Sequence, residues 1–201
     1  MRNRILEGAT KLFFRFGVKS ITMDSIAADL GISKKTIYQH FPDKDTLVNE
    51  VVSAFIEKDL AQWKELDEKY SDVIEKMFRS FDIVKETLTE INPRLMFEVQ
   101  KYHPDAFDIF KQYENDVMYT HLVNDLKNGI ENGYFRSELS IELIAKVRMA
   151  EIHMLFNPEL FESNKMSVFE LHLEFLDYFM RGIMTEKGLK VYNSYLTKNQ
   201  I

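Results

Sequence analysis

The chain has 201 residues, is 45% hydrophobic and 29% charged, and carries a formal net charge of −6. It is too apolar for a disordered chain and long enough for one large domain, or a small and a medium one, with a sizeable core. The lack of cysteine excludes a disulfide framework, a thiolate metal site and a cysteine nucleophile, and fits a reducing, cytoplasmic setting.

No stretch is long and apolar enough to span a bilayer. The opening MRNRILEGATKLFFRFG has a superficial likeness to a signal peptide, but Glu7, Lys11 and Arg15 interrupt its apolar residues. Residues 1–50 hold eight Lys/Arg against six acids, net +2, which leaves −8 for the remainder. Such asymmetry predicts separate jobs for the two parts. Seven Gly and four Pro punctuate the chain, and no period-two run reads as a strand, so an all-α fold is expected.

Helix one is expected from Ile5 to Phe16, with Ile5, Ala9, Leu12, Phe13 and Phe16 on one face and Gly17 as a left-handed cap. Thr22 caps helix two, Asp24 suits its first turn, and Ile21 with Ile26 forms a hydrophobic staple. That helix ends at Leu30, before Gly31. Ser33 caps helix three, and Ile32 with Ile37 repeats the staple. Two short helices joined by Gly31-Ile32-Ser33, with small Ala27 at their crossing, make a helix-turn-helix pattern. Phe41-Pro42 closes helix three and Asp43 caps a long fourth helix running into the 60s. Further helices are expected near 72–90, 93–101, 105–132, 141–157, 167–187 and 189–197. Asn92-Pro93, His103-Pro104, Gly129 to Gly133, Asn157-Pro158 and Gly188 punctuate them.

On a helical wheel, Ile37 and Phe41 turn inward together. Lys35 and Gln39 point away from them with Thr36 beside, Lys34 and Tyr38 lie on one flank, and His40 lies on the other. Lys, Gln and Thr suit base edges, whereas Tyr and His reach phosphate oxygens. Lys44 adds charge at the next helix N-terminus, where a phosphate is favoured. No acid lies between Ile32 and Pro42, unlike the mixed charges of an ordinary solvated face.

The run ILEGATKLFFRFGVKSITMDSIAADLGISKKTIYQHFPDKDTLVNEVV, Ile5 to Val52, resembles the TetR family of bacterial transcriptional regulators. GISKKTIYQHFPDKDTL is its most specific part, with Thr36, Tyr38, His40, Phe41 and Lys44 on the family pattern. NPRLMFEVQKYHP and NGYFR are similar to segments of some members, less specifically. The resemblance implies a helix-turn-helix DNA-binding domain, residues 1–47, joined to a helical ligand-binding and dimerisation domain, residues 48–201. It implies a homodimeric, ligand-responsive regulator, a repressor released by a small effector from a near-palindromic operator. Carried over by position, Lys34, Lys35, Thr36 and Gln39 would meet base edges or the groove. Tyr38, His40 and Lys44 would grip phosphates, Thr22 would touch backbone, and Ser33 belongs to the same set. Two departures stand out: Met23 and Asp24 replace a basic contact of some relatives, and only four residues precede Ile5.

The later helices carry their own signal. Apolar residues of Val168–Met184 span an arc of roughly 240°, leaving a strip of Glu170, Glu174, Asp177 and Arg181. Ile141–Phe156 is similarly broad, with Glu142, Lys146, His153 and Asn157 as its strip. Both therefore read as buried on two sides: as central helices of a monomeric bundle, or, given the resemblance, as a two-fold dimer interface. Near 105–132, Phe110, Tyr113, Val117 and His121 share a face suited to a ligand cavity, and Trp63, Met96 and Phe97 join them as candidates. Ordinary core packing accounts for any one of these alone. No GxGxxG, P-loop spacing or HExxH is present, so neither an enzyme nor a resident cofactor or metal is expected. The five dispersed histidines would have to converge in space to hold a metal effector. The alternative is an all-helical small-molecule or metal-binding protein without DNA-binding activity.

Overall fold

Short polar side chains fix where the first helices begin. In the computed structural model, which describes residues 1–89, 91–157 and 166–199, α1 spans Arg2–Phe16, α2 Met23–Asp29, α3 Lys34–His40 and α4 Lys44–Lys69. Thr22 and Ser25 form a reciprocal capping box at α2. The Ser33 hydroxyl takes the Thr36 N–H at 3.1 Å, and the Asp43 carboxylate takes the Thr46 N–H at 2.7 Å. At the end of α2, Ile32 N–H reaches the Ala27 carbonyl and Gly31 N–H the Ala28 carbonyl, a Schellman closure with Gly31 at φ 62°. Nothing lies within 4 Å of a Cβ added at Gly31, so backbone conformation is the constraint there. Gly31→Ala is expected to lower stability by about 1 kcal/mol, read as a lower urea midpoint at unchanged slope.

Gly17 departs from expectation. Its φ is 81° but its ψ is 158°, so it is not a left-handed helical cap. The Glu98 carboxylate lies 2.6 Å from where a Gly17 Cβ would be, so both the space and the positive φ require glycine there. Glu98 also accepts the Lys19 N–H at 2.8 Å.

The rest of the chain folds as α5 (Val73–Leu88), α6 (Leu95–Tyr102), α7 (Pro104–Tyr113), α8 (Tyr119–Glu131), α9 (Ile141–Met154), α10 (Val168–Ile183) and α11 (Glu186–Asn199). The single helix expected over 105–132 carries a π-helical turn, Glu114–Met118, between α7 and α8. The helix expected to reach 187 stops at Ile183, because Met184 pairs with Phe135 in an isolated antiparallel bridge, backed by Arg136 N–H on the Ile183 carbonyl. Gly129 and Gly188 lie inside helices rather than ending them; the Phe135 ring and the Tyr134 carbonyl pack where their side chains would be. Pro158 lies outside the described residues.

Two apolar clusters organise the body. The first joins Ile5, Phe13, Ile37 and Phe41 to Val51 of α4 and to Leu95 and Val99 of α6. The second gathers Phe78, Leu126, Phe179, Met180 and Tyr192 of α5, α8, α10 and α11. α4 lies along α7, and Leu155 of the first cluster and Leu176 of the second both face one cavity. Among the described residues no helix is long and apolar enough to cross a membrane.

Candidate nucleic-acid interface and ligand cavity

The outer face of α3 is built on its inner one. Ile37 and Phe41 are fully buried, which turns Lys35, Tyr38 and Gln39 to solvent. Thr36 is half-buried, with its hydroxyl 2.8 Å from that of Ser33. His40 is half-buried at the helix end, and Thr22 is exposed, its hydroxyl oxygen serving as the α2 cap. Lys34 is also exposed but pairs with Asp24 of α2. The hydrogen bond and the charge of Asp24 both push the Lys34 pKa up, so the lysine stays charged while its field is partly cancelled. At the start of α2, Met23 is buried and Asp24 is paired with Lys34.

Lys44 departs from the expected outward grip. Its ammonium donates to the Val18 carbonyl and lies 5.9 Å from the centre of the Phe13 ring. Burial pulls its pKa down, with Glu98 and Asp45 opposing. It tethers the start of α4 to the α1–α2 loop. Arg2 and Arg4, counted in the basic excess, have partners at the surface, Glu50 and the Leu30 carbonyl.

The cavity between α4, α5, α7 to α10 measures about 300 Å³. Trp63, Phe110, Tyr113, Val117 and His121 all line it. Met96 does not: it faces a separate pocket of about 90 Å³ beside Phe13. Phe97 lines neither and is 48% exposed, beneath the Lys101 ammonium. The inward side of short α6 is taken by Leu95 and Val99, which leaves Phe97 on the outside.

The polar groups of this cavity are mostly ones that wheel reading passed over. Asp59 shares a face of α4 with Phe55 and Trp63; its carboxylate accepts from the Tyr113 phenol and from the Trp63 side chain, while burial pushes its pKa up. Burial and Asp59 together raise the Tyr113 pKa. Lys76 joins Asp67 at 2.7 Å to Asp125, and His121 lies 3.3 Å from Asp67. Arg148 is buried, 3.2 Å from Glu151 and over the Phe179 ring. His172 lines the same wall with its Nδ1 unpartnered among the described residues; burial, then Arg148, pulls its pKa down to about 3, so the ring is neutral. A cation at helical spacing from Ile144 and Ala145 was the available signal for Arg148. Among the described residues no three His, Cys, Asp or Glu side chains are grouped to hold a metal.

A capped three-helix head with a polar third helix, set on an all-helical body that encloses a cavity, defines a helix-turn-helix regulator. The family model described as bacterial regulatory proteins, tetR family, matches residues 5–51. The chain is 31% identical over 137 residues to an HTH-type transcriptional regulator of Staphylococcus aureus (strain USA300), covering 62% of this chain and 74% of that protein. It is 25% identical over 146 residues to the HTH-type transcriptional repressor KstR2 of Mycobacterium tuberculosis (strain ATCC 25618 / H37Rv), covering 71% and 73%. The fold is similar to that of a TetR-family transcriptional regulator from Agrobacterium tumefaciens, with a TM-score of 0.75 at 20% identity over 92% of this chain and 97% of that one. The chain belongs to the TetR family of bacterial transcriptional regulators. Membership leaves the reading without DNA-binding activity unfavoured.

Proposed function

We propose that this is a cytoplasmic homodimeric repressor that holds a near-palindromic operator through α3 and is released when a small effector fills the cavity. The exposed, acid-free face of α3 carries the reading. Lys34, Lys35, Thr36 and Gln39 meet the groove; Tyr38, His40, Ser33 and Thr22 serve the backbone, and Lys44 holds the head in place. Residues 1–47 act as the DNA-binding part and 48–201 as the effector and dimer part. KstR2, a repressor by name, supports the sign of regulation.

Pairing of two chains rests on α9 and α10. Leu143, Val147, Ala150 and Met154 form one exposed stripe, with Leu143 60% exposed, and Tyr178 of α10 is 79% exposed. An apolar stripe of this kind is an association surface, and two-fold pairing matches a palindromic site. Coupling runs through α6, which holds the head by Glu98 on Lys19, by His103 against Asp45, and by the nearby Asn92 N–H on the Phe14 carbonyl. The helix that follows, α7, carries Phe110 and Tyr113 into the cavity. An effector that displaces α7 shifts α6 and alters the spacing of the two recognition helices.

A titration of labelled DNA from upstream of its own gene tests this. Binding is expected to saturate and to weaken by about 10³-fold or more between 50 and 200 mM salt. No preference over random DNA at moderate salt would sink the proposal, and light scattering that finds a stable monomer at micromolar concentration would remove the dimer.

A further inference from the structure

Among the described residues, the lysine and arginine at the cavity are paired with carboxylates, whereas half-buried Asp59 has no lysine or arginine beside it. Lys76 is shared by Asp67 and Asp125, and Arg148 faces Glu151. Asp59 has only the Tyr113 phenol and the Trp63 side chain, both neutral. No Lys or Arg among the described residues forms an ion pair with it, and His121, which acts on it through space, is engaged with Asp67. A carboxylate drawn into an aromatic, half-buried setting without a cation is costly. Phe55, Trp63, Phe110 and Tyr113 line the same cavity as Asp59, and Phe55 and Trp63 stand one helical turn from it on α4.

A second, independent observation concerns the same cavity. His172 also lines the cavity, half-buried, with its Nδ1 shut off from solvent and without a hydrogen bond among the described residues. Its neutral ring beside Arg148 asks for a hydrogen-bonding group, not for another cation. The wall thus pairs an uncompensated carboxylate among aromatics with an unsatisfied neutral imidazole.

We propose that the cavity takes an amphipathic organic ammonium ion, its nitrogen against Asp59 within the aromatic rings and a polar oxygen towards His172. This rests on the effector reading of the cavity. The ammonium supplies the missing counter-charge and a cation–π contact, and its apolar body lies against Phe156, Ile152 and Leu122. An organic anion meets the reverse: Arg148 already faces Glu151, and Asp59 repels it.

Calorimetric titration of the full-length protein with phenylbutylamine, phenylbutanol and phenylbutyrate tests the inference, since the three share a body and differ in charge. The amine is expected to bind about tenfold or more tighter than the alcohol, with the acid weakest. Asp59→Asn, checked for an unaltered circular dichroism spectrum, is expected to bring the amine down to the alcohol. Equal or tighter binding of the alcohol or the acid, or no binding of any, would overturn the ammonium assignment; the wild-type ranking decides this even if the variant does not fold. Binding of the amine with no change in operator affinity would leave the cation site standing and remove the effector reading instead.

Discussion

Lys76→Met is expected to cost about 2–3 kcal/mol of stability at neutral pH and less in mild acid. Lys76 is 11% exposed at its side chain and ties three helices together: its own α5, Asp67 at the end of α4 and Asp125 in α8. Burial works against its charge, yet the two carboxylates outweigh burial and hold its pKa up. Removing it leaves two carboxylates near one another with only His121 beside them. Asp67 is a third exposed, so water softens that half of the loss, which places the cost below that of a fully buried pair. Asp125 already has a raised pKa through burial, even with Lys76 present. A carboxylate whose folded pKa exceeds its unfolded one favours folding when protonated and loses that contribution as pH rises through the folded pKa. Without Lys76 the rise is larger, so the variant loses more than the wild type between mild acid and neutrality. Urea melts at both conditions should therefore show a deficit that narrows on acidification; a deficit independent of pH would contradict the account.

Lys35→Ala and Gln39→Ala are each expected to cost about 1–3 kcal/mol at the operator and much less on random DNA. Both side chains stand outward on α3 with no partner among the described residues that they must leave. Tyr38→Ala should weaken operator and random DNA alike, because a phosphate contact carries no sequence information. Lys34→Ala should have a smaller effect than Lys35→Ala, since Asp24 competes with any phosphate for that ammonium. Lys44→Ala should lower the stability of the head along with its affinity, since the Val18 tether goes with it. Competition titrations with operator and random DNA separate these outcomes, and equal effects of all five on both DNAs would refute the division of roles.

The head was legible in the sequence to the degree that its determinants are local. Thr22, Ser33 and Asp43 each cap an N–H three residues on, and Gly31 closes α2 through bonds spanning three and five residues. Such signals need no knowledge of the tertiary fold. Lys34 against Asp24 and Lys44 on Val18 bridge 10 and 26 residues, and no wheel shows them. The cavity divided the same way. Phe110, Tyr113, Val117 and His121 share a helical face and arrived together, whereas Phe97 was equally apolar but belonged to the outside of α6. Asp59, Arg148 and His172 were missed because apolar periodicity discounts the polar residue on an apolar face, which is where a ligand's polar atoms are met. The π-helical turn has no periodicity signature at all, and nothing in the structure explains its position.

Leu47, Val48 and Val51 of α4 and Leu95 and Val99 of α6 share one core with Ile5, Phe13 and Ile37. A chimaera joined at a single crossover after the recognition helix would carry off one half of that core and leave the other half behind. Exchange of heads between relatives would have to bring α6 along, from across the whole of α5 in the chain. With the proposed roles of Lys35 and Gln39, which have no partner among the described residues, operator preference would change more readily by point substitution on the outer face of α3 than by recombination of modules.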